Sequence, residues 1–134
     1  MFHLALPIVS IEETTDFYLN VLKAKLGRSA TLWADFDFHG NQLTLHETGN
    51  FRKEIIRLGK EGNPIKHFGV ILNYEEWEKE KNRFEAKHIS FLSEPKIVFE
   101  GMVGEQYSFF IKDPNGYAIE YKGFKDLNTV FKSA

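Results

Sequence analysis

The sequence contains no cysteine and only four prolines among its 134 residues. Without cysteine the chain can form neither disulfides nor thiolate metal sites, and it has no thiol nucleophile. No apolar run approaches the length of a membrane-spanning helix, and a formal net charge of -2 does not favour nucleic-acid binding. We therefore expect a cytoplasmic protein with neither a membrane nor a nucleic acid as its partner.

Aromatic and charged residues are plentiful instead. Apolar residues make up 43% of the chain, charged residues 27%, and there are 13 phenylalanines. This is the composition of a folded globular protein, and the length is sufficient for one domain with a real core. We predict a single domain over residues 1–134, with a tail over residues 124–134 that forms a short amphipathic helix.

The stretch from Asp113 to Tyr121 carries the strongest local signal. Its first four residues, Asp-Pro-Asn-Gly, are typical of a tight turn, and a strand is predicted to follow. Side chains alternate along a strand, so Ala118 and Glu120 share one face. If that face is buried, Glu120 must be paired, protonated or bound to a metal, because an isolated buried carboxylate is prohibitively unstable.

The first half of the chain predicts a strand, a helix and two more strands. Ser10 and Glu13 form a capping box that begins the helix, and Gly27 is predicted to end it. The strands are predicted over Met1–Val9, Thr31–Phe38 and Gln42–Glu47. In the last of these, Gln42, Thr44 and His46 share the polar face.

The second half repeats this order after a connector over residues 48–64. Asn73 and Glu76 form a second cap for an amphipathic helix, and Glu94–Gly104 reads as a long loop. Strands are predicted over Ile65–Asn73, His88–Leu92, Gln106–Lys112 and the segment after the turn.

The two halves therefore form an internal repeat. His3 and His67 begin equivalent strands at an offset of 64, and the turn residues Gly40 and Gly116 are offset by 76. The 12 extra residues of the second half are placed in the Glu94–Gly104 loop. Such self-similarity predicts an α+β fold of two βαβββ modules, over about residues 1–60 and 61–123.

Equivalent strands point equivalent faces in the same direction, and this brings four positions together. They are His3, Thr44, His67 and Glu120, where Thr44 and Glu120 each follow a turn glycine by four residues. Two imidazoles and one carboxylate from distant strands form a facial triad that leaves coordination positions open. Taken singly, each residue is also compatible with an ordinary surface or core position, so the prediction of a metal site depends on their joint placement.

These residues resemble those of the vicinal oxygen chelate superfamily, which includes glyoxalase I, fosfomycin-resistance transferases, bleomycin-resistance proteins and extradiol dioxygenases. The resemblance covers about residues 1–123. It implies two βαβββ modules in a curved mixed sheet around a metal-containing cleft, and a substrate that chelates the metal through two neighbouring oxygens. It also implies a divalent ion, Fe(II) or Mn(II) first and Ni(II) or Zn(II) as alternatives, and a homodimer.

Departures from the family patterns restrict the activity. Glyoxalase I carries a second glutamate at the position matched by Thr44, so the three-ligand pattern is closer to that of extradiol dioxygenases or fosfomycin transferases. The dioxygenase signature has a tyrosine where this chain has Phe110. We therefore expect His46 to be the catalytic acid or base, and Gln42, Thr44 and Phe110 to contact the substrate.

Two other functions are compatible with the resemblance. One is a metal-free protein that binds an apolar small molecule, as bleomycin-resistance proteins do. The other is a thiol transferase, which requires basic residues near the site, and Lys112 and Arg52 are the sequence candidates. The loop over Phe99–Gln106, with Gly101 and Gly104 as hinges, is a candidate lid.

Overall fold

A computed structural model describes residues 1–133 of the chain. The chain divides into two compact units: Met1–Ile55 with Asp113–Tyr117, and Ile56–Lys112 with the residues from Ala118 onward. Each unit contains a four-stranded mixed sheet and one α-helix, in the order strand, helix and three strands. The predicted α+β class with two βαβββ modules is confirmed.

The first sheet has the strand order β1-β4-β3-β2, in which β1 is parallel to β4 and the other pairs are antiparallel. Helix α1 continues directly into a π-helical segment over Phe17–Val21. The elements are β1 (His3–Ile8), α1 (Ile11–Asp16), β2 (Lys25–Ala30), β3 (Trp33–Phe38) and β4 (Asn41–Glu47).

The predicted capping box is present at the start of α1. The side chain of Ser10 accepts a hydrogen bond from the Glu13 backbone N–H at 3.3 Å. The helical segment lies on the sheet face that carries Phe36, and the ring of Tyr18 packs against Phe36 with centroids 5.4 Å apart. Both side chains are fully buried, so this face forms the core of the first unit.

The prediction that the first helix extends to Gly27 was wrong. The helical segment ends at Val21, Lys23 adopts a positive φ, and Gly27 lies within β2. Every residue of β2 is exposed, so the strand has no alternating pattern that sequence reasoning could detect.

The second sheet has the strand order β5-β8-β7-β6, with β5 parallel to β8. Helix α2 begins at the predicted Asn73 cap, whose side-chain oxygen accepts from the Glu76 backbone N–H at 2.9 Å. The elements are β5 (His67–Asn73), α2 (Tyr74–Ala86), β6 (Ser93–Val98), β7 (Gln106–Lys112) and β8 (Ala118–Phe124). Helix α2 has 13 residues. No helix among the described residues is long and apolar enough to cross a bilayer.

Two predictions in the second half were wrong. His88–Leu92 is not a strand: His88 adopts a positive φ just after α2, and β6 occupies Ser93–Val98, all but its first residue within the predicted loop. Pro95 lies in β6 and made this segment resemble a loop. Proline is tolerated there because β6 is an edge strand with a register shift between Ser93 and Lys96.

The tail also differs from its prediction. Phe124 ends β8, and the only helical turn in the described tail is a 3-10 turn over Leu127–Thr129. Phe131 is almost fully exposed, so the predicted amphipathic helix with a packed apolar face is not present. Ala134, the last residue of that prediction, lies outside the described residues.

The Asp-Pro-Asn-Gly turn is anchored in the core of the first unit. Asp113 accepts hydrogen bonds from the Asn115 and Tyr117 backbone N–H groups at 2.8 Å, and from the Tyr18 hydroxyl at 2.9 Å. The side-chain oxygen of Asn115 accepts from the Val9 backbone N–H at 2.8 Å. Burial raises the pKa of Asp113, although these hydrogen bonds oppose the shift. The polar residues of the turn therefore have a structural role.

Strand register supports the internal repeat. In the first sheet Ala5 pairs with Thr44, and in the second Gly69 pairs with Glu120. The offsets of these pairs, 64 and 76, are those of the sequence repeat. Only part of the 12-residue insertion lies at the predicted place: residues 31–32 connect β2 to β3 and residues 99–105 connect β6 to β7, a difference of five (7 minus 2).

Candidate metal centre on the second sheet

One face of the second sheet carries two of the predicted metal ligands, His67 and Glu120. Helix α2 packs on the other face, where the Trp77 indole N–H donates to the Tyr121 carbonyl oxygen at 2.9 Å. Alternation along β8 points Glu120 away from that helix. We call the side opposite α2 the histidine face; its strand positions include His67, Ser108, Phe110, Glu120 and Lys122.

His67 and Glu120 meet on this face. The Nε2 atom of His67 lies 3.2 Å from Oε1 of Glu120, although the two residues are 53 positions apart (120 minus 67). Parallel pairing of β5 with β8 causes the meeting, because it places Gly69 beside Glu120 and His67 one side-chain row away. The Phe110 ring contacts the imidazole edge-on, with centroids 5.0 Å apart.

The second nitrogen of His67 is also engaged. Its Nδ1 atom lies 2.7 Å from the carbonyl oxygen of Pro64, which can only accept a hydrogen bond. A neutral imidazole carries one N–H, so either tautomer leaves its other nitrogen facing an oxygen without a proton between them. A proton between Nε2 and Oε1, carried by either group, or a metal ion bound to Nε2 resolves this conflict.

The separation of the two donor atoms fits a metal ion. Two ligands about 2.1 Å from one ion and at a right angle are about 3.0 Å apart. The observed 3.2 Å between Nε2 and Oε1 is close to this value. An N–H donated to a backbone carbonyl is also the usual way in which a metal-binding histidine is oriented. His67 and Glu120 therefore fit two positions of a coordination shell.

Two further side chains on the histidine face contact Glu120. The buried Ser108 hydroxyl donates to Oε2 at 2.6 Å, and the Lys122 ammonium lies 4.0 Å from Oε1. Sequence reasoning missed both. Alternation from Glu120 along β8 points to Lys122, whereas Ser108 could be found only from the β7–β8 register.

The third predicted ligand, His3, lies on the first sheet. It is exposed at the start of β1 and pairs with Gln42. Among residues 1–133, no three histidine or acidic side chains are grouped so that they could hold a metal ion. The structure thus brings together two of the three predicted ligands, and the contribution of His3 stays a prediction.

The predicted polar residues of β4 surround a carboxylate that sequence reasoning missed. The buried Asp35 accepts from the Thr44 hydroxyl at 2.6 Å and from the Gln42 amide at 3.3 Å, and the Arg28 guanidinium lies 3.6 Å away. Register places Asp35 beside Thr44 on the same face. His46 lies on that face one pair further along β4 and is exposed.

A surface cavity adjoins this cluster within the first unit. Its volume is about 280 Å³, and Arg28, Asp35, Asp37 and Gln42 contribute to its lining. Acidic, basic and amide groups therefore border one small cavity. It can accommodate the polar part of a small molecule.

The chain repeats one unit, which consists of a strand, a helix and three strands. This repeat defines a protein of the paired βαβββ class, and the second sheet places a histidine and a glutamate on paired strands. The chain belongs to the Glyoxalase/Bleomycin resistance protein/Dioxygenase superfamily, whose family model matches residues 1–121. A comparison with curated protein sequences finds no match.

Solved structures resemble this chain over nearly its whole length. A glyoxalase/bleomycin resistance protein/dioxygenase from Alicyclobacillus acidocaldarius is 27% identical with a TM-score of 0.82, covering 98% of this chain and 96% of that one. The fosfomycin resistance protein FosX from Listeria monocytogenes is 17% identical, with a TM-score of 0.68 and coverages of 96% and 95%. Lactoylglutathione lyase from Agrobacterium tumefaciens is 20% identical, with a TM-score of 0.68 and coverages of 93% and 93%. The last two likenesses concern the fold alone.

Proposed function

We propose that the protein is a metal-dependent enzyme whose substrate binds the metal through two neighbouring oxygens. The observation that carries this proposal is the placement of His67 between two acceptors, the Pro64 carbonyl and the Glu120 carboxylate, at 2.7 Å and 3.2 Å. A metal ion bound to Nε2 is compatible with both contacts, because it leaves the N–H on Nδ1 to donate to the Pro64 carbonyl. A divalent ion also suits the Glu120 carboxylate as a ligand.

The proposed ligands are His67, Glu120 and the sequence-predicted His3, from this chain or from the second copy in a homodimer. Two imidazoles and one carboxylate suit Fe(II) or Mn(II), with Ni(II) or Zn(II) as alternatives. Such an ion, when bound, polarises the substrate oxygens. Ser108 fixes Oε2 of Glu120 through its 2.6 Å hydrogen bond, which leaves Oε1 directed at His67.

Other side chains have proposed roles in substrate binding and proton transfer. Phe110 provides an apolar surface against the His67 ring. Gln42 and Thr44 contact the substrate, and Asp35 orients both through hydrogen bonds. His46 is exposed on the same face of β4 as Gln42 and Thr44, and it is the proposed general acid or base.

We further propose that the reaction is of the extradiol dioxygenase type. Thr44, at the position equivalent to Glu120, adds no second carboxylate as a fourth ligand, and its hydroxyl donates a hydrogen bond to Asp35. The three-ligand set keeps positions open for a bidentate substrate and oxygen. Oxygen consumption by the Fe(II)-loaded protein with catechols as probes tests this finer proposal, and its absence would contradict it.

The metal site itself is tested by elemental analysis of the purified protein after loading with Mn(II) or Fe(II). We expect about one ion per chain, and its loss in His67→Ala. His88→Ala is the matched control, because His88 is exposed just after α2. A bound ion also raises the melting temperature, since a ligand present at 100 times its Kd stabilises the fold by about 2.7 kcal/mol. Unchanged metal content in His67→Ala would contradict the assignment, and a protein that binds no metal would favour the metal-free binding function.

A further inference from the structure

Lys122 occupies a distinctive position on the histidine face. Its ammonium lies 4.0 Å from Oε1 of Glu120, the same oxygen that faces His67. Its side chain is 36% exposed, so the ammonium reaches the proposed metal site and also remains accessible from solvent. It is two residues beyond Glu120 on β8 and therefore points from the same face.

The contact between Lys122 and Glu120 is too weak to be an ion pair that stabilises the fold. A separation of 4.0 Å is at the limit for such a pair, and partly exposed pairs contribute little to stability. Glu120 already accepts a hydrogen bond from Ser108 at 2.6 Å and faces the His67 imidazole. When a metal takes up the negative charge of Glu120, Lys122 is left without the counter-charge that the structure shows.

Positive charge predominates over the histidine face. Register places Lys122, Ser108 and Lys96 in one row across three strands, and Lys112 lies two residues from Phe110 on the same face of β7. In the described part of the chain, Glu120 is the single acidic residue at the register-paired positions of this face. A divalent ion would increase the positive charge, and a negatively charged ligand would balance it.

We propose that Lys122 determines specificity by selecting a substrate with a negatively charged oxygen next to the chelating pair. This inference rests on the proposed metal function and names its substrate class, a catechol-type chelator that carries a carboxylate beside its two chelating oxygens. The ammonium donates a stronger hydrogen bond to this charged carboxylate oxygen than to a neutral oxygen at the same place. Lys122 acts on binding and does not hold the metal.

Oxalate, a small dianion with two neighbouring oxygens, is a suitable probe. Its affinity for the Mn(II)-loaded protein is measured by isothermal titration calorimetry, after Mn(II) affinity has been measured alone. In Lys122→Met we expect oxalate to bind at least 10-fold more weakly, with Mn(II) affinity retained. Lys122→Arg should restore most of the oxalate affinity, because it keeps the charge. Lys79→Met, which removes an exposed lysine from α2, should match the unchanged protein.

The outcomes separate this inference from the function on which it rests. Mn(II) binding together with equal oxalate affinities in the unchanged protein and Lys122→Met would overturn the role of Lys122 alone. Loss of oxalate affinity in Lys79→Met to the same degree would also overturn it, because net charge would then explain the effect. Absence of Mn(II) binding by the unchanged protein would overturn the metal site and this inference together.

Discussion

Substitution of Ser108 tests most directly whether the second sheet orients the Glu120 carboxylate for metal binding. Its hydroxyl donates to Oε2 of Glu120 at 2.6 Å, with Ser108 2% exposed and Glu120 9% exposed. Water has little access to this contact, so Ser108→Ala leaves a carboxylate oxygen without its donor. A hydrogen bond to a charged group contributes about 1.5–3 kcal/mol, and about 1.4 kcal/mol corresponds to a factor of ten in affinity.

We therefore expect Ser108→Ala to bind Mn(II) about 10- to 100-fold more weakly, the range for removal of a group that orients a metal ligand. Calorimetric titration measures the affinity, and circular dichroism verifies that the fold is retained. Ser93→Ala is the matched control, because Ser93 is a serine on edge strand β6, opposite Phe110. Equal Mn(II) affinities in Ser108→Ala and the unchanged protein would refute the reasoning that Ser108 orients Glu120.

Two further predictions concern stability. A Cβ at Gly69 would overlap the Glu120 carbonyl oxygen and lie 2.7 Å from its carbonyl carbon, so Gly69→Ala should cost about 3 kcal/mol and lower the melting temperature by about 10 °C. Gly49→Ala, where a Cβ meets nothing within 4 Å, should change it little; equal melting temperatures in the two variants would contradict the prediction. The second concerns Asp113, whose pKa is raised by burial, so the folded state binds its proton more tightly than the unfolded state. The stability of the unchanged protein relative to Asp113→Asn should therefore fall as the pH rises above about 4 in denaturant titrations, and a rise would show that the sign is wrong.

Much of the fold could be predicted from the sequence because short-range features, namely helix caps and turns, mark the repeat. The Ser10 and Asn73 caps mark the same point of the two units, and the turn at Asp113 marks the start of β8. Each of these signals acts within four residues. Strands β2 and β6 were missed because both are edge strands. The exposed residues of β2 show no alternation, and Pro95 in β6 imitates a loop.

The candidate site was only partly predictable for a different reason. Alternation within β8 assigns a face to Glu120, and the repeat offset pairs it with His67, so local pattern and repeat together found this contact. The hydrogen bonds of Ser108 and Asp35 depend on antiparallel register between neighbouring strands. A single sequence does not fix that register, so these partners became visible only in the fold.

The central claim is that His3, His67 and Glu120 hold one metal ion. A crystal structure of the Mn(II)-loaded protein, with the ion located by its anomalous scattering, tests this claim most directly. The account predicts one ion bound by His67 Nε2, Glu120 Oε1 and a His3 imidazole at about 2.0–2.3 Å, with His3 from the same chain or from a second copy. An ion bound elsewhere, or a loaded protein in which His67 and Glu120 hold none, would contradict it.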